Sequence, residues 1–371
     1  MADLSQQGPF SFTVTSGALL MTNEDSIRYT VFEPLNEVLF PSVILCHGFF
    51  RNQTVMSNLA QHIASWGIKS ISIDFNNSSL LNNDPMKDAQ ELKTLSDSLV
   101  PGELIYIGHS SGGMRSIISA SQNSNVLAVL GLDLVNESDV NSEIYSLSIQ
   151  LASSLSIPLW GLAGENSSCN SSGNGISLYS AAQSSNLVHL TDADHCDFED
   201  PTDFLCEILC DGPNLNFSDE EINKTIKTLV TAFTLWQVGF DLNAYSLWTP
   251  GYAYYDNLIA SGAAYQINTL EKDQELSLPN QIILKQNYPN PFNPVTSISY
   301  FLPLKYDIDI SIYDIRGGLI KSILVNQKQM GHNTVIWDGK NFNNEDSSSG
   351  MYIFVLKAGE LVKTKKMLYL K

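Results

Sequence analysis

The run Leu104-Ile-Tyr-Ile107-Gly-His-Ser110-Ser-Gly112-Gly113 passes from four apolar residues through a tight turn into a stretch of small residues. An apolar run of this length between turn residues reads as a buried strand, and the small residues after it read as the start of a helix. The turn fits the pattern G-x-S-x-G. Alone that pattern carries little weight, since on the order of one chain in ten this long has it by chance. Its place between a strand and a helix gives it meaning. Such a turn exposes the hydroxyl of Ser110 and points the amide of Ser111 toward the same spot. The glycines are required because the backbone reverses sharply and the helix packs close to the strand.

Outward from this turn, short apolar runs alternate with helical segments. Strands are expected at Ser42–Cys46, Lys69–Phe75, Leu104–Gly108, Val126–Asp133, Ile157–Ala163 and Leu187–Thr191. Helices are expected at Thr54–Trp66, Met86–Ser98, Gly113–Ser121 and Pro201–Cys210. Ser218-Asp-Glu-Glu221 is a capping box that opens a further helix through about Val238. The Tyr- and Asn-rich stretch 239–276 reads as the tail of this domain. Strands separated by helices give an α/β domain with a mostly parallel sheet.

A serine hydroxyl is a weak nucleophile until a base takes its proton. His195, in Thr191-Asp-Ala-Asp-His195-Cys-Asp-Phe198, follows the last strand and is the expected base. His47 precedes the nucleophile and is read as a structural histidine, because this architecture orders its residues serine, acid, histidine. Two acids compete to orient the imidazole. Asp133 closes its strand 23 residues after Ser110, and Glu165 follows the next strand. Asp133 is favoured and Glu165 is the alternative. His47-Gly-Phe49-Phe50 follows the Ser42–Cys46 strand, so the amide of Phe49 is expected to join that of Ser111 in an oxyanion hole. Phe49, Phe50 and Trp160 are expected to line the substrate pocket. Only 23 residues separate Asp133 from Ile157, too few for a lid domain, so the site should be open and shallow.

Charge is unevenly divided. Of 20 Lys+Arg and 39 Asp+Glu, residues 278–371 hold 11 and 7, leaving 9 and 32 for residues 1–277. So acidic a body repels nucleic acid and anionic membrane and fits a salty habitat. No run approaches the ~20 apolar residues of a membrane span. The first residues have neither a basic nor an apolar segment of a signal peptide, which fits a cytosolic protein or a mature secreted form. Cysteine usage favours the second. Cys46 lies in an apolar strand as a free core thiol. Cys169, Cys196, Cys206 and Cys210 lie in polar surroundings and suggest two disulfides rather than zinc, given no C-x-x-C pair and no second nearby histidine.

From about Thr269 the composition becomes that of a linker, giving domains at 1–268 and 282–371 joined by 269–281. Six alternating segments then follow with no helix between them: Ser297–Leu302, Asp307–Tyr313, Leu319–Val325, Thr334–Asp338, Met351–Lys357 and Leu361–Tyr369. They read as a small β-sandwich.

Two resemblances add to this. Gln286-Asn-Tyr-Pro-Asn-Pro-Phe-Asn-Pro294, Tyr313-Asp-Ile-Arg-Gly317, Val335-Ile-Trp-Asp-Gly339 and Ser349-Gly-Met-Tyr352 resemble the C-terminal sorting domain of type IX secretion substrates. That likeness implies an Ig-like sandwich, the secretion machinery as partner, and a secreted or surface-attached protein. His47-Gly-Phe49, Gly108-His-Ser-Ser-Gly-Gly113, Gly131-Leu-Asp133 and Asp194-His-Cys-Asp-Phe198 are similar to a group within the α/β-hydrolase fold. The group contains chlorophyllases, platelet-activating-factor acetylhydrolases and cutinase-like polyester hydrolases. In the first two the acid sits where Asp133 stands. In the third it sits at the position aligned with Ser167, a departure from their pattern. The polyester hydrolases also imply a bridge Cys169–Cys196. Cys206 and Cys210, four apart at a helix end, would then be the second pair, with cross-pairing to 169 and 196 as the alternative. The expectation is a serine carboxylic-ester hydrolase, monomeric and without cofactor, acting on an ester or polyester. A catalytically inactive surface-binding protein is the rival from another class.

Overall fold

A computed structural model describes residues 2–21, 25–35, 40–78, 83–136, 142–202, 204, 206, 210, 212, 215–269, 283–284, 286–287, 289–359 and 361–371. The chain divides into two compact units, one spanning most of residues 1–272 and the other 273–371. Beyond Thr269 the expected linker lies outside the described residues, as does half of the expected Pro201–Cys210 helix; of the rest, Phe204, Cys206 and Cys210 are helical and Pro201 and Thr202 are not.

The first unit is built on a nine-stranded sheet. Its strands are β1 (Phe12–Leu20), β2 (Ser26–Pro34), β3 (Ser42–Cys46), β4 (Ser70–Ile73), β5 (Leu104–His109), β6 (Val126–Leu132), β7 (Leu159–Ala163), β8 (Ser185–Leu190) and β9 (Ala264–Ile267). They lie in the order β1-β2-β4-β3-β5-β6-β7-β8-β9. The six from β4 to β8 run parallel, while β1, β2 and β9 pair antiparallel at the two edges. All six expected strands are present. The edge strands were not anticipated, because edge strands are wet on one face and lack an apolar run. In β1 most side chains are exposed or half-buried.

Helices cover both faces of the sheet. They are α1 (Ser57–Ser65), α2 (Pro85–Leu99), α3 (Ser111–Ala120), α4 (Ser142–Ser154), α5 (Ile176–Ala181), α6 (Asp219–Gln237) and α7 (Ala253–Ala260). Strand alternation sends Val43, Leu45, Ile105, Ile107, Leu130, Trp160 and Leu162 to one core, packed by Leu59 and Ile63 of α1 and by Leu229 and Phe233 of α6. Ile44, Cys46, Tyr106, Val129 and Leu159 face the other, with Leu92 of α2, Ile117 of α3 and Leu178 of α5. Burial on both faces is why these strands read as unbroken apolar runs. The capping box is formed. The Ser218 hydroxyl accepts from the Glu221 amide, and the Glu221 carboxylate accepts from the Ser218 amide.

The strands of the second unit all pair antiparallel: β10 (Ile283–Leu284), β11 (Thr296–Asp314), β12 (Leu319–Trp337), β13 (Gly350–Ala358) and β14 (Leu361–Tyr369). Six short strands were expected. Instead two pairs of them merge into the 19-residue strands β11 and β12, which stay in one ladder through register shifts such as that between Leu302 and Tyr306. An irregularity of this kind bends a strand without ending it, so a local polar interval looks like a turn in the sequence. The motif residues supply the core. Phe292 stacks on Tyr369 at 4.9 Å, and Trp337 meets Tyr352 edge-on at 5.1 Å. In the Tyr313-Asp-Ile-Arg-Gly turn, the Asp314 carboxylate accepts from the amides of Arg316 and Gly318, each at 2.8 Å.

Candidate active site

Ligands bind parallel sheets outside the carboxyl ends of the strands. At that edge β3 leads to His47-Gly-Phe-Phe50, β5 to Ser110, β6 to Asp133, β7 to Glu165 and β8 to His195. The sequence segments singled out above are thereby gathered at one rim.

Ser110 sits between β5 and α3 with φ 55 and ψ −131, a conformation unfavourable for a residue with a Cβ and held here by the strand and helix on either side. Its side chain is buried and contributes to a cleft of about 200 Å³. Gly48, Phe49, Phe50, His109 and His195 also line that cleft. The passing loop must have glycine at 48, since a Cβ there would come within 2.8 Å of the Ser110 Cβ. The amides of Phe49 and Ser111 have no acceptor among the described residues, whereas that of Phe50 donates to the Ser78 carbonyl at 2.9 Å. Phe49 is half-buried, and Phe50 stands 54% exposed at the rim.

His195 Nδ1 lies 2.6 Å from Asp133 Oδ2, with both side chains buried. Asp133 Oδ1 accepts from the Gly164 amide at 3.0 Å. Glu165 is directed elsewhere. Its Oε1 accepts from the Asp192 amide at 3.2 Å and its Oε2 lies 3.9 Å from His189 Nε2. The acids flanking His195 are occupied with backbone. Asp192 accepts from the Phe217 amide, Asp194 from the Cys196 amide, and Asp197 from the Asp194 amide. They shape the loop and leave the imidazole to Asp133.

His47 is fully buried. Nδ1–H donates to the Gly48 carbonyl at 2.7 Å and Nε2 accepts from the Phe75 amide at 2.9 Å. Burial pushes its pKa down to about 4, so it is a neutral prop for the Phe49 loop.

Two expectations are corrected. Trp160 does not line the cleft. It is the second residue of β7, on the face opposite Leu159, and packs into the core with Phe233, Trp236, Tyr245 and Trp248 at 5.0–6.3 Å. The cysteines cross-pair as Cys169–Cys210 and Cys196–Cys206, with Cα separations of 5.8 Å in both. Cys206 and Cys210 each pair with a cysteine from a loop elsewhere in the fold rather than with each other. Cys196, Cys206 and Cys210, whose sulfurs lie within 4.8 Å of one another, are all engaged in these two bridges. Cys46 remains free and buried, its thiol pushed up to about 12 by burial.

Other residues at the site went unnoticed in the sequence. His109 Nε2–H donates to the His195 carbonyl at 3.0 Å. Burial holds this imidazole neutral. Glu199, buried four residues after His195, accepts from Arg51 Nε at 2.8 Å and has Oε1 3.5 Å from His109 Nδ1. This group ties the loop after β3 and the Ser110 turn to the histidine loop. The only signal of it was the histidine inside G-x-S-x-G.

No curated protein matches the chain. Residues 286–369 match the family model described as the secretion system C-terminal sorting domain. No described helix is long and apolar enough to cross a membrane. The C-terminal unit is a type IX secretion sorting domain that engages the secretion machinery, and the chain carrying it is secreted or held at the cell surface.

Proposed function

We propose that the N-terminal unit is a serine carboxylic-ester hydrolase of the α/β-hydrolase fold. The observation that carries this reading is the 2.6 Å bond between His195 and Asp133 beside a cleft that Ser110 also lines. Ser110 Oγ attacks the ester carbonyl while His195 Nε2 takes its proton. Asp133 accepts from Nδ1–H, fixing the tautomer and stabilising the imidazolium. The developing oxyanion is met by the amides of Phe49 and Ser111, each free of another described acceptor. His195 then protonates the departing alcohol, and water enters by the same route in reverse to release the acid.

A polyester substrate is the second reading. It is favoured by the exposed ring of Phe50 at the rim and by the segment between β6 and β7, of which residues 142–154 form the single helix α4. Hydrolysis of a short-chain nitrophenyl ester, abolished by Ser110→Ala, is the expected result. An inert wild-type protein on a broad ester panel would favour the surface-binding alternative.

A further inference from the structure

Gly131 on β6 and Gly161 on β7 are register partners in the parallel ladder. A Cβ on either would collide with the phenol oxygen of Tyr179. The two glycines therefore open a slot in one face of the sheet, and α5 fills it with the Tyr179 side chain, which is 2% exposed. Beside this slot lies a cavity of about 20 Å³, lined by Asp133, Tyr179, His189 and Asn166 among others.

Two of these residues carry buried polar atoms that find no hydrogen-bond partner among the described residues: Tyr179 Oη and His189 Nδ1. Burial, together with the Asp133 carboxylate, raises the Tyr179 phenol well above its ordinary range, so it keeps its proton and is a donor. Burial lowers His189, so its ring is neutral and one nitrogen is an acceptor. A carboxylate accepts only. One donor and two acceptors around one small space match the bonding capacity of a single water, with one acceptance and two donations. The size agrees, since a water needs at least ~10–15 Å³ and two to four polar partners.

We propose that this cavity binds one ordered water that accepts from Tyr179 Oη and donates to the Asp133 carboxylate and to His189 Nδ1. The site makes Tyr179 a positioning residue: through the water it braces Asp133, whose Oδ2 meets His195. That second statement rests on the ester-hydrolase reading, whereas the water site does not.

The test is a crystal structure of the full chain at a resolution that shows ordered water, with a second structure and kinetics for Tyr179→Phe. The wild type should hold one water about 3 Å from each of the three atoms. The variant keeps the ring in its slot, should lose the water, and should lower kcat on a soluble ester roughly fivefold at unchanged KM, the effect of one neutral hydrogen bond. A dry cavity in the wild type overturns the site, whether or not the variant folds. A water lost with kcat intact overturns the positioning role. A chain with the water in place and no activity on any ester upholds the site and strikes the hydrolase reading instead.

Discussion

Asn170 Nδ2 lies 3.3 and 3.1 Å from the two carboxylate oxygens of Asp133, and 2.8 Å from the carbonyl of Glu165. A side-chain amide thus holds the acid from the loop after β7, the loop whose own acidic residue competed for the same role. Asn170 Oδ1 accepts from the amides of Ser167 and Gly173, so the amide is fixed at both ends. Asn170→Ala should lower kcat about tenfold with KM nearly unchanged, as expected for losing a hydrogen bond to a charged group. Steady-state kinetics on a soluble ester check this, and an unchanged kcat would remove Asn170 from the account.

Asp133→Asn should cost far more, about 10⁴ in kcat by analogy with other triads. Glu165→Gln should be mild, because that carboxylate bonds backbone and faces His189. The opposite ranking would move the acid to the loop after β7.

Acid should weaken the fold through His47. Its folded pKa is depressed to about 4 from an ordinary 6.5. The unfolded chain therefore binds the extra proton first as pH falls. The contribution is complete above about 6.5 and is lost between there and about 4, on the order of 3 kcal/mol. Asp88 and Glu91, raised by burial, act with the opposite sign. The difference between wild type and His47→Gln cancels them. Melting temperature against pH should be flatter for the variant across that window, and parallel curves would contradict the assignment.

Peptide mapping without reductant should recover Cys169–Cys210 and Cys196–Cys206. The sequence separations are 41 and 10 residues. In the chain-entropy model these loops correspond to about 4 and about 3 kcal/mol taken singly. Reduction should then lower melting temperature and esterase activity together, since Cys196 adjoins His195, while Cys46 stays unreactive until unfolding. Five free thiols in the native protein would remove the bridges.

The two units have separate apolar cores. A chain ending near Thr269 should fold and turn over soluble esters at the full rate. A folded truncation without activity would make the sorting domain part of the site.

The inner sheet was legible because strands buried on both faces must be apolar throughout, and Ser110 because its turn demands glycine on both sides. The sequence favours Asp133 over Glu165 without separating them decisively, since both follow strands at the same rim and only side-chain direction distinguishes them. Trp160 misled because sequence shows that a residue is on a strand but not which face it takes. The edge strands β1 and β9, and β2 beside β1, escaped for want of an apolar run. Residues joined across loops, such as Arg51 and Glu199, leave no periodic trace.

The slot at Gly131 and Gly161 also bears on how this sheet can vary over time. Neither position can gain even a methyl group while Tyr179 stays, and Tyr179 cannot be reached gradually from a sheet that carries side chains at both. The positions are expected to drift together: descendants that fill Gly161 should have traded the tyrosine for a smaller residue in the same lineage, and those that fill Gly131 should have changed Leu134 as well.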